Sequence, residues 1–197
     1  MSTHAIEPPV SVFVEHITEL GRGDMEDLCD AAEAAIVDGN GFGWLTPPPR
    51  STLESYWRGV LVMPRREVFV GRLDSVIAAS AQLAKPAPNQ ESSAFAATLT
   101  TQFVAPWARG HGLARGLVEA VERAARDDGF EVMNLDVRET QAAAITLYEG
   151  LGYQRWGSHP AYARVGGETI AGHFYTKRLG ACPSILNGLH RGEEREC

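Results

Sequence analysis

The chain has 197 residues, 44% of them apolar, and a formal net charge of −7. That length and apolar content suffice for one compact domain with its own core, and the acidic balance argues against a nucleic-acid or anionic-membrane partner. Three cysteines without CxxC spacing and six histidines without paired ligand spacing give no reason to expect a disulfide framework or a metal site.

No run is long and apolar enough to cross a bilayer, and MSTHAIEPPV has neither a basic n-region nor an apolar h-region. A soluble, unexported, cytoplasmic protein is expected. Residues 1–8 read as an N-terminal extension, 9–179 as a single domain and 180–197 as a loosely held tail.

VSVFVEHITE reads as an opening strand. GDMEDLCDAAEAAIVDG follows, with Asp24 as expected cap and Leu28, Ala32, Ala35 and Ile36 on one helical stripe. The Gly- and Pro-rich stretch 40–49 is a loop. Ser51 and Glu54 then suggest a capping box for a helix whose apolar face is Leu53, Tyr56, Trp57, Val60 and Leu61, stopped at Pro64. EVFVGRLDSVIAASAQLAKP predicts two strands joined by a tight turn at Asp74 and Ser75.

In SAFAATLTTQFV, Phe95, Ala97, Leu99 and Phe103 fall on one strand face, and Thr98, Thr100 and Gln102 on the other. A polar face on a central strand suggests a cleft. The next helix carries Leu113, Leu117, Val121 and Ala124 inward, with Glu119/Arg123 and Glu122/Arg126 expected as solvated pairs. Gly129 ends it, FEVMNLDVR is a mostly apolar strand, TQAAAITLYEG a short helix, and GYQRWG and ETIAGHFYTKRL the last strands. Strand, helix, strand over 95–138 makes a parallel βαβ unit, and the remaining order is α+β rather than doubly wound.

The stretch VAPWARGHGLARGL, 104–117, joins the polar-faced strand to its helix. Gly110 and Gly112 remove side chains where the chain turns into the helix, so first-turn amides can face an anion, and Arg109 and Arg115 add positive charge. A plain strand-to-helix turn would also need glycine there. A dinucleotide fold, with Gly110, Gly112 and Gly116 as a loose GxGxxG and Asp136 as the ribose acid, fits poorly because five residues separate strand and glycines. No GxxxxGK[ST] occurs.

Arg109-Gly110-His111-Gly112-Leu113-Ala114 resembles the (Q/R)xxGx(G/A) signature of the GNAT superfamily of N-acetyltransferases, with VAP where that family has a hydrophobic-x-Pro. QAAAITLYEGLGY, 141–153, is similar to the family's second motif. Within the superfamily the chain resembles the tabtoxin-resistance type at SAQL (80–83), Pro88-Asn89, Leu135-Asp136 and G-x-x-P-x-Y-A through FYTKRL.

The resemblance implies a mixed, mostly antiparallel sheet of about six or seven strands with a splayed parallel pair and flanking helices. It also implies acetyl-CoA as co-substrate, no metal, and transfer to the amine of a small molecule, an amino acid or amino-acid-like antimetabolite. Backbone near Phe103 and Val104 would pair with the pantetheine arm, amides from Arg109 through Gly110, His111, Gly112 and Leu113 to Ala114 would hold the pyrophosphate, and Gln141 would stand for the usual Asn. Tyr148 is the implied acid. Thr98 stands where many relatives carry a catalytic glutamate, so Asp136, a held water or no dedicated base takes that role. Phe42, Trp44, Thr98 and Thr100 are candidate acceptor contacts, and Tyr56, Trp57, Trp156 and Tyr162 are further aromatics that line either pocket or core. His159 and His173 are read as satisfied side chains. A non-catalytic acyl-CoA-binding regulatory module is the alternative, and the protein is expected as monomer or homodimer.

Overall fold

The computed structural model describes residues 10–39 and 43–180. The expected extension over 1–8, the tail after Gly180, and Phe42 of the first loop lie outside the described residues.

In chain order the elements are β1 (Val12–Ile17), α1 (Asp24–Val37), α2 (Arg50–Leu61), β2 (Arg66–Leu73), β3 (Val76–Ala84), β4 (Ala96–Val104), α3 (Leu113–Asp127), β5 (Val132–Arg138), α4 (Ala142–Gly150), β6 (Gln154–Val165) and β7 (Glu168–Arg178). The seven strands form a sheet in the order β1-β2-β3-β4-β5-β7-β6. β4 and β5 are parallel, while β1/β2, β5/β7 and β6/β7 are antiparallel. This is the α+β class that the order of elements predicted, in the mixed, mostly antiparallel sheet that the resemblance implied.

The chain packs into two compact units: residues up to Gln82 with Thr101–Ala120, and Leu83–Thr100 with residues from Val121 onward. In the first, β1 lies against β2 from Val12–Leu73 to Ile17–Val68. Asp74 and Ser75, the hairpin turn, both have left-handed φ, 49° and 72°, the requirement of a two-residue turn whose twist suits its strands. Leu28, Ala32, Ala35 and Ile36 of α1 pack with Leu53, Trp57 and Val60 of α2 and with Phe103 in one buried cluster. Burying such side chains contributes about 1.5–3 kcal/mol each for the larger ones.

Both expected helix caps differ. Gly23, at φ 89°, holds the cap position of α1, a conformation glycine adopts without the Cβ clash. Asp24 is therefore a first-turn residue, and its carboxylate accepts bonds from the Arg72 guanidinium at 2.8 and 3.0 Å and from the Gly21 amide at 2.8 Å. Bonding to Arg72 holds that carboxyl below its usual range. α2 begins one residue earlier than Ser51, with Pro49 at its cap and the Pro49 carbonyl accepting from Thr52 at 2.8 Å. Glu54 instead faces Arg58, 3.1 Å away, one turn along the helix.

The second unit contains the parallel pairing. Its register runs from Ala96–Val132 to Thr98–Asn134, and Leu99 opposite Leu135 does not continue it, so the two strands part there. Phe95, expected on the buried face, is 49% exposed. It precedes the strand, so the pleat does not turn it inward, and its carbonyl accepts the Glu131 amide at 2.9 Å. β6 is much longer than GYQRWG suggested. It has irregularities at Arg155/Gly157 and His159/Ala163, and it tolerates Pro160 because an edge strand has unpaired positions where a missing N–H costs nothing.

Glu122 departs furthest from expectation. It is 4% exposed, and both its oxygens accept from Lys177 Nζ at 2.7 Å, with Arg126 Nη1 at 3.5 Å. The helical spacing to Arg126 is real, but β7 supplies the stronger partner and seals the pair from water. Glu119 pairs at 3.6 Å with Arg115 rather than Arg123.

Candidate active site

In the first unit the chain leaves β4 through a single 3-10 turn, Pro106–Ala108, and passes Arg109 in extended conformation. Gly110 and Gly112 then both take φ 82°. Nothing stands within 4 Å of where a Cβ on either would lie, so the backbone there is open to a ligand. The first bond of α3 joins the Gly116 amide to the Gly112 carbonyl at 3.0 Å. The amides of Leu113, Ala114 and Arg115 precede it and have no carbonyl within the helix to bond.

Packing fixes this helix start. Leu113 is buried and lies where a Cβ on Gly71 would meet it at 2.8 Å, while Gly116 brings the helix within 3.1 Å of Val14 in the same sense. Gln102 Nε2 donates to the Ala114 carbonyl at 2.9 Å, tying strand to first turn. Thr101, just before Gln102 in the strand, has φ 52°, a left-handed conformation that costs a β-branched residue about 1–2 kcal/mol.

The remaining candidates of this unit lie as follows. Arg109 Nη2 stands 2.6 Å from the Asp38 carboxylate, so its charge is partly engaged. His111 is exposed, its Nδ1 3.2 Å from the Ala108 carbonyl. Phe103 is buried and Val104 half-buried at the strand end. Trp44 packs edge-on against Tyr56, with centroids 5.5 Å apart, and Tyr56 Oη accepts from the buried Gln82 amide at 2.9 Å. Trp57 is fully buried core.

The second unit holds a cavity of about 910 Å³ whose lining includes Thr98, Asn134, Asp136, Trp156, Phe174, Thr176 and Arg178. Residues of one parity along β5 and their partners on β7 supply much of it, Val132 facing Arg178, Asn134 facing Thr176 and Asp136 facing Phe174, while Leu135, Tyr175 and Lys177 of the other parity border it. The other parity, with Met133, Leu135 and Tyr175, is buried. Asp136 is the only carboxylate among the described lining residues. Thr100 is half-buried, two residues beyond Thr98 and past the end of the parallel register.

Tyr162 closes on that carboxylate. Arriving from the second irregularity of β6, its ring lies across Gly172, where a Cβ would meet ring atoms at 2.2 to 2.6 Å. Its hydroxyl donates to Asp136 Oδ2, and the ring stands edge-on to Phe174 at 6.0 Å. Burial, then the bond to Asp136, pushes the Tyr162 phenol up. Trp156, 67% exposed, packs on the other side of Phe174 at 5.6 Å.

Tyr148, on α4, is 6% exposed and packs against Tyr153 and Tyr175, with centroids 5.8 and 6.5 Å away. Burial pushes its phenol up, and the charge of Asp136 adds to the shift. The phenol therefore stays protonated through the neutral range. Gln141 caps α4, its carbonyl accepting from Ile145 at 3.0 Å. His159 Nδ1 accepts the Ala161 amide at 3.1 Å, and His173 Nδ1 lies 2.9 Å from Ser158 Oγ.

Sequence reasoning passed over Asn134, Phe174, Thr176 and Arg178. A signal was present, because Asn134 and Asp136 alternate with Met133, Leu135 and Val137, but a strand read as mostly apolar hides a polar face of two residues. Among the described residues no cluster of His, Cys, Asp or Glu has the arrangement of a metal site, and no helix is long and apolar enough to cross a membrane.

Residues 29–153 match the acetyltransferase (GNAT) family. A protein described as an uncharacterized N-acetyltransferase in the hisH-hisA intergenic region of Azospirillum brasilense is 65% identical over 130 residues, 66% of this chain and 77% of that one. Among solved structures, an N-acetyltransferase from Staphylococcus aureus Mu50 has a TM-score of 0.73 at 14% identity, covering 86% of this chain and 99% of its own. The Salmonella typhimurium protein yncA, solved with its cofactor acetyl-CoA, has a TM-score of 0.70 at 16% identity, covering 87% and 96%. With a family match over the loop and the second motif, a close relative, and the shared fold, the chain belongs to the GNAT family and is an acetyl-CoA-dependent N-acetyltransferase.

Proposed function

We propose that the protein moves the acetyl group of acetyl-CoA to the amine of a small molecule by direct attack in a ternary complex, with an amino acid or amino-acid-like antimetabolite as acceptor. The likeness to the tabtoxin-resistance type at residues 80–83, 88–89 and 135–136 supports that acceptor class. The observation that carries the mechanism is a buried phenol, Tyr148, in the same unit as a cavity with one carboxylate among its described lining residues, Asp136.

Acetyl-CoA supplies an activated acyl thioester. The open backbone at Gly110 and Gly112, with the amides from Arg109 to Ala114 and the helix dipole behind them, fits its pyrophosphate. Arg109 joins by exchanging Asp38 for phosphate. Backbone groups of Phe103 and Val104 hold the pantetheine arm, and the Gln141 side chain offers it an amide.

Thr98 has no basic group, so Asp136 orients the acceptor ammonium and accepts its proton on the way to solvent. The neutral nitrogen then attacks the thioester carbonyl carbon, and the Val104 amide donates to the oxygen on which negative charge develops. As the carbon–sulfur bond breaks, Tyr148 Oη donates a hydrogen bond to the departing sulfur, the nitrogen gives up its second proton through Asp136 to solvent, and the released thiolate takes a proton from solvent. A thiolate is a weaker base than a phenolate, and desolvation widens the gap, so Tyr148 acts chiefly as a strong hydrogen-bond donor. Thr98 and Thr100 contact the acceptor.

The test is Tyr148→Phe. At saturating acetyl-CoA, kcat is expected to fall by about 10²-fold or more, the usual size of an acid–base contribution, with KM for acetyl-CoA changed by less than about threefold. Undiminished turnover removes Tyr148 from the mechanism.

A further inference from the structure

We infer that the acceptor is a dipeptide with an apolar first residue and a free C-terminal carboxylate, lying extended along the groove between β5 and β7. This rests on the acetyl-transfer reading above, in which Asp136 receives the amine, and it replaces the free amino acid named there with an acceptor one residue longer. The groove carries opposite charges at its two ends. Asp136 faces Phe174, and Arg178 lies four residues further along β7, facing Val132, about 14 Å away at strand spacing. The neighbouring Lys177 is not available for a ligand, because its ammonium is held on Glu122 at 2.7 Å. Arg178 is exposed and lines the cavity.

The separation works as a ruler. In a free amino acid the nitrogen and the carboxyl carbon are about 2.5 Å apart. Adding a hydrogen bond of about 3 Å at each end reaches only about 8.5 Å. With both side chains standing roughly perpendicular to the sheet, their heads keep the strand separation, and one more extended residue adds about 3.5 Å, giving about 12 Å, which nearly closes it. A free amino acid held by its amine would also set its own carboxylate beside Asp136, where like charges repel.

The floor between the ends suits a peptide group. Asn134 and Thr176 are paired across the strands, and Gln154 lies opposite Thr176 on β6. They offer amide and hydroxyl donors and acceptors in a row. Beside Asp136 the wall is aromatic: Phe174 stands between Trp156 at 5.6 Å and Tyr162 at 6.0 Å. Trp156 leaves 67% of its surface exposed, a large apolar face for a first side chain to cover. Because β4 and β5 part immediately beyond Thr98 and Asn134, an amine on Asp136 sits at the parted end of the groove.

The experiment measures CoA release with purified full-length protein, saturating acetyl-CoA and five acceptors: phenylalanine, Phe-Ala, Phe-Ala amide, Glu-Ala and a simple alkylamine. Phe-Ala is expected to exceed phenylalanine, its own amide and Glu-Ala each by about tenfold in kcat/KM, the effect of one charge-assisted contact in a partly exposed cleft. In Arg178→Ala the acid-to-amide ratio is expected to collapse from about ten to about one. Melting temperature within about 2 °C of the parent certifies the fold of that variant. Equal turnover of phenylalanine and Phe-Ala, or an acid-to-amide ratio that survives Arg178→Ala, overturns the dipeptide assignment and leaves acetyl transfer standing. Absence of CoA release with every amine overturns both.

Discussion

Gly172→Ala isolates the contact that holds Asp136. A Cβ at that position would lie 2.2 Å from Cγ of Tyr162 and 2.5 and 2.6 Å from its two Cδ atoms. These are atoms at the root of the ring, so small torsions cannot relieve the clash and the whole side chain must leave. Its hydrogen bond to Asp136 and its edge contact with Phe174 go with it. A bond to a charged group contributes about 1.5–3 kcal/mol, but Asp136 is exposed and water takes over much of it. The expected net cost is about 1–2 kcal/mol, or roughly 2–8 °C in melting temperature for a chain of this size. kcat/KM should fall about tenfold as Asp136 loses its fixed orientation. The decisive comparison is the same substitution made in Tyr162→Ala. With the ring gone nothing opposes the methyl group, and Gly→Ala at an unstrained φ stabilises by about 0.4–1 kcal/mol through the unfolded chain. The sign of the effect should therefore reverse in thermal melts of the four proteins. A cost of the same size in both backgrounds would falsify the claim that Tyr162 transmits it.

Two further expectations concern stability. Lys177→Met leaves Glu122 buried with Arg126 and the Tyr153 phenol beside it but no ammonium, so urea denaturation should show a loss of about 3 kcal/mol, most of it regained when Glu122→Gln is added; an undamaged single variant refutes the seal around that pair. Tyr148 and Tyr153 have phenols pushed up chiefly by burial, so an unfolded chain releases those protons first as pH rises. Their contribution is complete below the ordinary phenol value of 10.0 and declines above it by about 1.4 kcal/mol per pH unit for each tyrosine. A urea midpoint that stays flat between pH 10 and 11 contradicts this.

The strands and helices were legible because their apolar spacing is strong and local: the stripe of α1, the alternation Ala97, Leu99, Phe103, the turn at Asp74 and Ser75. The turn into α3 was legible for a similar reason, since Gly110 and Gly112 both take the left-handed φ that glycine adopts freely. What failed depended on partners distant in sequence. Asp24 looked like a cap because nothing local announces Arg72, forty-eight residues away, as its partner. Glu122 looked solvated because Lys177, which covers it, is fifty-five residues further on. The groove on β5 and β7 needed the register of two strands, and the role of Tyr162 needed the irregularity in β6 that swings it across Gly172. Neither leaves a periodic trace in one dimension.

The route of the chain through its two units bears on how the molecule is made. It passes from the first to the second at Gln82/Leu83, returns at Thr100/Thr101, and leaves again at Ala120/Val121. During synthesis the first unit therefore stays incomplete until the early turns of α3 have emerged, although its helices and first hairpin are already available. The hand-back falls beside Thr101, the residue with left-handed φ in the middle of a strand. No single cut yields either unit whole, so a fragment ending at Gln82 lacks Phe103 and Ala105 from its core, and a nascent chain of that length has exposed apolar surface to protect.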